Sequence, residues 1–412
     1  MSKLFLKDTM GLDFILDELR SLKEHALMRE YRTIESAQGP YVQINGKSYL
    51  SFCSNNYLGL ANHPKIKQAS IDAINQYGWG TGASRLVSGN MTLHQELEKK
   101  IAEFKCTEAS LLFPTGYMAN LGAICAIVSK GDIVIGDKLN HASIVDGCRQ
   151  SGATFRIYPH NNASQLESLL QRSSIYRRRL IVTDSLFSMD GDTAPLPEIL
   201  KIAKRYDAII MIDDAHATGV FGQHGKGMIE HYGLEGKIDI IMGSLSKAIG
   251  SIGGFIAGSK HLIEFLKNKA RSFIYTTALP PAVCAASLAG LALVQEDTSL
   301  IDKLWENIEY LKSRLSEFTN NVTIQSPIIP VIVGSAEDAV NLSNKLYQNG
   351  ILIPAIRPPT VPPGTSRLRI SLMTTHSKDD INRLIDVLKN VGFLTHKNIS
   401  HTKNSYAQTD VG

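Results

Sequence analysis

Between Ile133 and Met242 the chain alternates between two textures. Short apolar runs (Ile133-Val-Ile, Thr154-Phe-Arg-Ile-Tyr, Leu180-Ile-Val-Thr, Ala208-Ile-Ile-Met-Ile and Ile238-Asp-Ile-Ile-Met) are rich in β-branched residues. Between several of them, notably over residues 163–170 and 197–206, apolar positions recur at three- and four-residue spacing. The first pattern predicts buried strands and the second amphipathic helices. Strands alternating with helices predict an α/β unit whose mostly parallel sheet is covered on both faces. Ligand sites in such sheets gather beyond the carboxyl ends of the strands. That rule singles out Asp184-Ser185, Asp213-Asp-Ala-His216 and Ser244-Leu-Ser-Lys247.

The flanking segments follow other patterns. Leu12, Ile15, Leu16, Leu19 and Leu22 predict an amphipathic helix over residues 12–31. Asn45-Gly46 between two alternating runs predicts a β-hairpin. Residues 64–77 and 94–104 read as helices. The glycine-rich stretch 78–84 follows a helix, whereas a dinucleotide-binding loop must follow a strand, so it reads as a loop reaching a ligand. The apolar Ala109-Ser-Leu-Leu-Phe113 runs into Pro114-Thr115-Gly116-Tyr117, which opens a helix over 118–128. A strand, a tight turn and a helix N-terminus form an anion site from free backbone N–H groups. After Ala278, two helical stretches and the strand-like Ile328–Val333 and Arg367–Ser371 predict a smaller α+β unit. The expected division is a helix and hairpin arm (1–54), a large α/β domain (55–286), an α+β domain (287–395) and a polar, disordered tail (396–412).

Composition narrows the classes. A net charge of +4 over 412 residues gives no reason to expect nucleic acid or an anionic membrane as a partner. Five scattered cysteines without Cys-x-x-Cys spacing argue against a disulfide framework or zinc site and suit a reducing, cytoplasmic setting. No third ligand stands at motif spacing to Asp213 and His216, so no metal is expected. The apolar segment 278–294 is interrupted by Pro280-Pro281 and is shorter than the ~20 residues of a membrane span, which predicts a buried helix.

Three strand ends thus deliver carboxylates, small hydroxyls with an imidazole, and one lysine. Pyridoxal phosphate needs such a set: an amine for its aldehyde, a carboxylate for its ring nitrogen and an anion site for its phosphate. Lys247 is the candidate amine, Asp213 the candidate ring partner, and Thr115, Gly116, Tyr117 and Ser244 the candidate phosphate cradle. Taken singly, Asp213 reads equally as a cap on the following turn, His216 as a loop histidine and Lys247 as a surface lysine; their joint order along one α/β pattern favours the cofactor.

With these residues in view, the chain resembles the α-oxoamine synthases, fold-type I pyridoxal-phosphate enzymes that condense an amino acid with an acyl thioester and release carbon dioxide. The resemblance rests on Ser54-Asn-Asn-Tyr-Leu-Gly-Leu60, Thr115-Gly-Tyr117, Asn140-His-Ala-Ser143, Asp184-Ser-Leu-Phe-Ser-Met-Asp-Gly191, Asp213-Asp-Ala-His216, Gly243-Ser-Leu-Ser-Lys247 and Arg367-Leu-Arg369, and covers roughly residues 12–392. It implies that Lys247 carries the cofactor and later acts as base, and that Asp213 pairs with the ring nitrogen. It further implies that His141 stacks on the ring, that Ser185 and His216 bond its phenolic oxygen, and that Thr277 reaches the phosphate of a second subunit. The implied assembly is a homodimer with shared sites. Asn55, Arg32, Arg357 and Arg369 are the implied substrate-binding residues. The loop Ile356-Arg-Pro-Pro-Thr-Val-Pro is similar to that of the biotin-pathway branch, which uses L-alanine and a pimeloyl thioester of coenzyme A or acyl-carrier protein. Phe52-Cys-Ser-Asn-Asn-Tyr is closer to 2-amino-3-ketobutyrate CoA ligase, a glycine user, and serine palmitoyltransferases can share the Arg-Pro-Pro loop. Ser244-Leu-Ser-Lys247 departs from the Thr-x-Gly-Lys pattern common in the biotin branch. An inactive partner subunit is disfavoured because Lys247 is present.

Overall fold

The structure, a computed structural model, describes residues 11–318 and 323–394; the tail expected from residue 396 lies outside them. Thirteen strands form three sheets among the described residues. In chain order they are β1 (Tyr41–Ile44), β2 (Lys47–Ser51), β3 (Ala109–Phe113), β4 (Ile133–Asp137), β5 (Thr154–Tyr158), β6 (Arg179–Asp184), β7 (Ile209–Asp213), β8 (Ile240–Ser244), β9 (Gly254–Gly258), β10 (Ile328–Gly334), β11 (Ile351–Leu352), β12 (Ala355–Ile356) and β13 (Ser366–Ser371).

The central sheet has seven strands in the order β3-β9-β8-β7-β6-β4-β5. Its strands run parallel except β9, which is antiparallel to both β3 and β8. Both faces of the inner strands are buried, as the continuous apolar runs require, while the edge strand β5 leaves Arg156 and Ile157 exposed. Along β7, Ile210 and Ile212 join one core and Met211 the other; along β4, Ile133 and Ile135 face one core and Val134 the other. Strand β9, Gly-Phe-Ile-Ala-Gly, escapes the pattern reading because glycines leave only three apolar residues between them. The chain continues from β4 outward to β5 and then returns to place β6 on β4's other side. Such a reversal opens a crevice at the carboxyl ends of the strands, next to Asp184 and His141.

The hairpin turns through Asn45 (φ 50°) and Gly46 (φ 68°), the left-handed pair that two-residue hairpins favour. Its second strand pairs in parallel with β11, so residues 41–51 and 351–352 share one sheet. The third sheet, β10-β13-β12, is antiparallel and presents Arg367 and Arg369 from β13. Helix Pro281–Glu296 is buried by its small residues Ala282, Ala285, Ala286 and Ser287. No helix among the described residues is long and apolar enough to cross a membrane.

The N-terminal helix is shorter than its pattern predicts. It spans Phe14–Glu24 and stops where Ala26 takes φ 55°, with Leu27 and Met28 N–H both turned back onto Leu22 O. The left-handed residue ends the helical repeat, so residues 27–31 continue as irregular chain. Its apolar stripe is exposed in the single chain.

One clamp braces the sheet end. His160, just after β5, donates from Nδ1 to Asp137 Oδ1 (2.9 Å) and from Nε2 to Asp192 Oδ2 (2.7 Å). Burial opposes its charge, but the two carboxylates push its pKa up to about 10. A histidine raised from ~6.5 when unfolded contributes stability that is complete below that value and lost as pH rises through about 10. We therefore expect the urea midpoint of His160→Gln to fall below the native one at pH 6, and the gap to close above pH 10. A gap that does not narrow would remove the charged clamp.

Candidate active site

The end of β7 carries two consecutive carboxylates that face opposite ways. Asp213 accepts from Asn120 Nδ2 (2.7 Å) and, through its other oxygen, from Ala215 N (3.0 Å). Asp214 turns inward, where Oδ2 meets Lys105 Nζ at 2.8 Å and Oδ1 accepts from Ser185 Oγ (2.7 Å) and Met228 N (3.1 Å). Lys105 also donates to Thr218 Oγ1 (2.7 Å) and Lys226 O (2.5 Å), so its three protons are all used. The pair is sealed, with side-chain exposures of 1% and 0%. Gly227, at φ 104°, closes the loop over it; a Cβ there would fall 1.8 Å from Asp214 Oδ2. The chain after Asp214 coils helically, with Ala217 and Thr218 N–H donating to Asp214 O. That brings His216 to the cleft side.

Lys247 follows β8 in a tight loop. Ser246 N donates to Ser244 Oγ, and Leu245 N and Ser246 Oγ donate to Gly253 O. Among the described residues Lys247 Nζ has no hydrogen-bond or ion-pair partner. Burial holds the ammonium below its ordinary pKa; Asp213 and Asp184 pull it back up, and Arg369 works with burial. Asp184, beside Asp213 in the sheet register, is raised well above the usual carboxylate range by burial and by that neighbour. Its Oδ2 accepts from His141 N at 2.7 Å, which seats His141 at the start of helix Ala142–Gln150. The His141 imidazole accepts from Ser143 N through Nδ1, and burial lowers its pKa despite Asp213.

Thr115 caps helix Gly116–Ile127 by accepting from Met118 N (3.1 Å). The N–H groups of Gly116 and Tyr117 precede the first intrahelical bond and point out of the helix end. Gly116 lies over β8 and β9: a Cβ there would sit 2.8 Å from Met242 Cε and 3.9 Å from Ser244 Oγ, and a Cβ on Gly254 would strike Gly116 Cα at 2.5 Å. Tyr117 OH donates to Asp146. Asn120, absent from the sequence reading as a site residue, joins this helix to Ser143 Oγ (2.9 Å) and to Asp213.

Across the cleft, Arg369 donates to Asn55 Oδ1 (2.9 Å), Tyr57 OH (3.0 Å) and Ser188 O (2.5 Å). Arg367, from the same face of β13, binds Asp190 Oδ1 (2.7 Å) and Met189 O. Tyr57 also meets His216 Nδ1 at 2.8 Å. Two predicted substrate arginines hold their bonds elsewhere. Arg32 stacks on Tyr347 and donates to Asn344 Oδ1, while Arg357 donates to the carbonyls of Ala26 and Met28. Thr277 is exposed and bridged to Ser84. Tyr57 and Asp214 lie in quoted motifs and Asn120 just past one, whereas Lys105 lies in none; only their long-range partners mark them.

The residues present fit pyridoxal phosphate. They provide an unpartnered amine, a held carboxylate with lone pairs to spare, and a glycine-lined helix end for a phosphate. Ser185 is a refinement: its proton is committed to Asp214, so it offers the cleft lone pairs only. Lys105→Met leaves Asp214 charged and unpaired in the core, which costs about 3–5 kcal/mol. A denaturant midpoint unchanged from the native protein would show that the pair is dispensable.

Residues 47–388 match the class I and II aminotransferase family. The 8-amino-7-oxononanoate synthase of Thermoanaerobacter pseudethanolicus is 46% identical over 92% of this chain and 97% of its own. A serine palmitoyltransferase variant from S. paucimobilis, solved with a bound PLP–myriocin aldimine, superimposes with a TM-score of 0.88 at 31% identity, over 94% of this chain and 98% of that one. The 8-amino-7-oxononanoate synthase of Francisella tularensis gives 0.72 at 29% identity, over 84% of this chain and 98% of its own. The chain therefore belongs to the class I and II aminotransferase family, with the fold-type I architecture, as a pyridoxal-phosphate-dependent acyltransferase of the α-oxoamine synthase group.

Proposed function

We propose that this protein joins L-alanine to a pimeloyl thioester, of coenzyme A or acyl-carrier protein, to form 8-amino-7-oxononanoate with release of free thiol and carbon dioxide. The observation that carries the reading is the opposed pair of sites: an unpartnered Lys247 beside Asp213 on one wall, and the Asn55–Arg369 grip on the other. Identity of 46% to an 8-amino-7-oxononanoate synthase, against 31% to the serine palmitoyltransferase, supports this branch over the other.

Pyridoxal phosphate, when bound, supplies an aldehyde that combines with an amine and a ring that draws electron density from the amino acid's α-carbon. Lys247 Nζ would hold the group through its aldehyde. Released from it, and with a pKa lowered first by burial, Nζ is the base that takes the α-proton. Asp213, oriented by Asn120 and Ala215 N, keeps a proton on the ring nitrogen. The Gly116 and Tyr117 N–H groups, with Thr115 and Ser244, would hold the phosphate, and His141 would cover the ring. His216 would donate to its phenolic oxygen, and Ser185 would do so only on releasing Asp214. Arg369 and Asn55 grip the substrate carboxylate, for which the planar guanidinium is suited. Arg32 and Arg357 would reach substrate only on releasing their present partners.

Two copies share these sites in this reading. Thr277 stands on an exposed apolar rim with Tyr275 (71% exposed), Trp79 (68%), Leu86 and Val87 (80%), more than a lone chain ordinarily leaves in one area. From that rim Thr277 reaches the partner's phosphate site.

Lys247→Ala is expected to abolish turnover and the visible band that borohydride removes from the native protein; normal activity would end the assignment. Thiol release with alanine, glycine and serine against pimeloyl, acetyl and palmitoyl thioesters should be fastest for alanine with pimeloyl. A preference for glycine with acetyl, or serine with palmitoyl, would move the protein to another branch. Val87→Asp should yield monomers by sedimentation and lose activity, and an active monomer would refute shared sites.

A further inference from the structure

Tyr57 is fully buried and its hydroxyl meets three partners: His216 Nδ1 at 2.8 Å, Arg369 Nη2 at 3.0 Å and Asn55 Oδ1 at 3.3 Å. One proton has to be placed among them. A guanidinium only donates, so the phenol oxygen accepts from Arg369. The hydroxyl proton then goes to Asn55 or to His216. Asn55 Oδ1 already takes a charge-assisted bond from Arg369 Nη1 at 2.9 Å, and its 3.3 Å separation from Tyr57 is past the usual O–H···O range. His216 Nδ1, at 2.8 Å, is the better acceptor. Were Nδ1 protonated instead, the phenol oxygen would accept two bonds and be left only the long contact for its own proton. A ring nitrogen that accepts carries no proton, and its partner nitrogen must. Burial, then the charges of Lys247 and Arg369, hold the ring well below the ordinary histidine range, so it is singly protonated. His216 Nε2 has no partner among the described residues.

We propose that Tyr57 is a positioning residue that fixes His216 as the Nε2–H tautomer, aiming a donor into the cleft, and that the same hydroxyl ties this donor to the Asn55–Arg369 grip. The acceptor of that donor rests on the proposed function, being an oxygen of the bound cofactor; the tautomer itself does not. A donor at Nε2 stabilises negative charge on such an oxygen, whereas the other tautomer would set a lone pair against it.

The test is ring tautomerism by two-bond nitrogen–proton correlation on enzyme labelled with 15N-histidine, both loaded with pyridoxal phosphate and stripped of it. The His216 signal is identified by its loss in His216→Gln. The native protein is expected to show Nε2–H in both states, and Tyr57→Phe to shift His216 toward a mixture of tautomers. An Nδ1–H signal in the native protein overturns the proposal even if the variant fails to fold, and so does an unshifted signal in a folded variant. Nε2–H in a protein without transferase activity would support the tautomer while refuting the reaction.

Discussion

The buried contact between Lys105 and Asp214 is the constraint around which the site is arranged. Asp213 and Asp214 are neighbours at the end of one strand, and two adjacent carboxylates entering one cleft would repel each other. Lys105 draws the second into the core at 2.8 Å, where Ser185 and Met228 complete its bonds. The first is left on the cleft side, where Asn120 and a backbone N–H hold it. A buried ion pair is weak evidence for net stability, since desolvation offsets much of the attraction. Its value here is positional: it decides which carboxylate is drawn into the core and which is left for the cleft.

The same logic extends outward. Asn120 links Asp213 to the helix whose N-terminus is the proposed anion site, so the proposed ring partner and phosphate cradle are set by one side chain. Ser185, committed to Asp214, ties the end of β6 to that of β7. On the far wall Arg369 is held from three directions, and Tyr57 joins it to His216. A preorganised arrangement of this kind needs little movement when charge develops on a ligand. Lys247 stands apart, an amine whose Nζ has no partner among the described residues. That is what a residue needs if it is to carry a covalent cofactor and then act as a base.

The Arg357 loop shows a different economy. Its guanidinium satisfies carbonyls at Ala26 and Met28, just past the left-handed residue that ends the N-terminal helix. The helix buries none of its own side chains, so these bonds help hold it to the body of the chain. The apolar rim at Trp79, Leu86, Val87 and Tyr275 belongs to the same class of unfinished surface, which a second copy completes in our reading.

Much of the architecture was legible in the chain. Period-two and period-3.6 patterns depend only on neighbours, so the parallel strands β4 to β8, the hairpin at Asn45-Gly46 and the buried helix after Pro281 could be read directly. So could the strand ends at Asp184, Asp213 and Lys247, because ligand position in a doubly covered sheet follows from strand direction. Strand β9 could not, since Gly254 is needed for a close approach to Gly116 and Gly258 for one to Asp239 O, which no local pattern encodes. The N-terminal helix was overextended for the converse reason: the apolar repeat continues, but a backbone turn at Ala26 stops it. Tertiary structure alone decided which way Asp213 and Asp214 face, where the Ser185 proton goes and what Tyr57 touches. Those outcomes depend on partners such as Lys105, 109 residues from Asp214, and Arg369, 312 residues from Tyr57; folding, not sequence spacing, sets those distances.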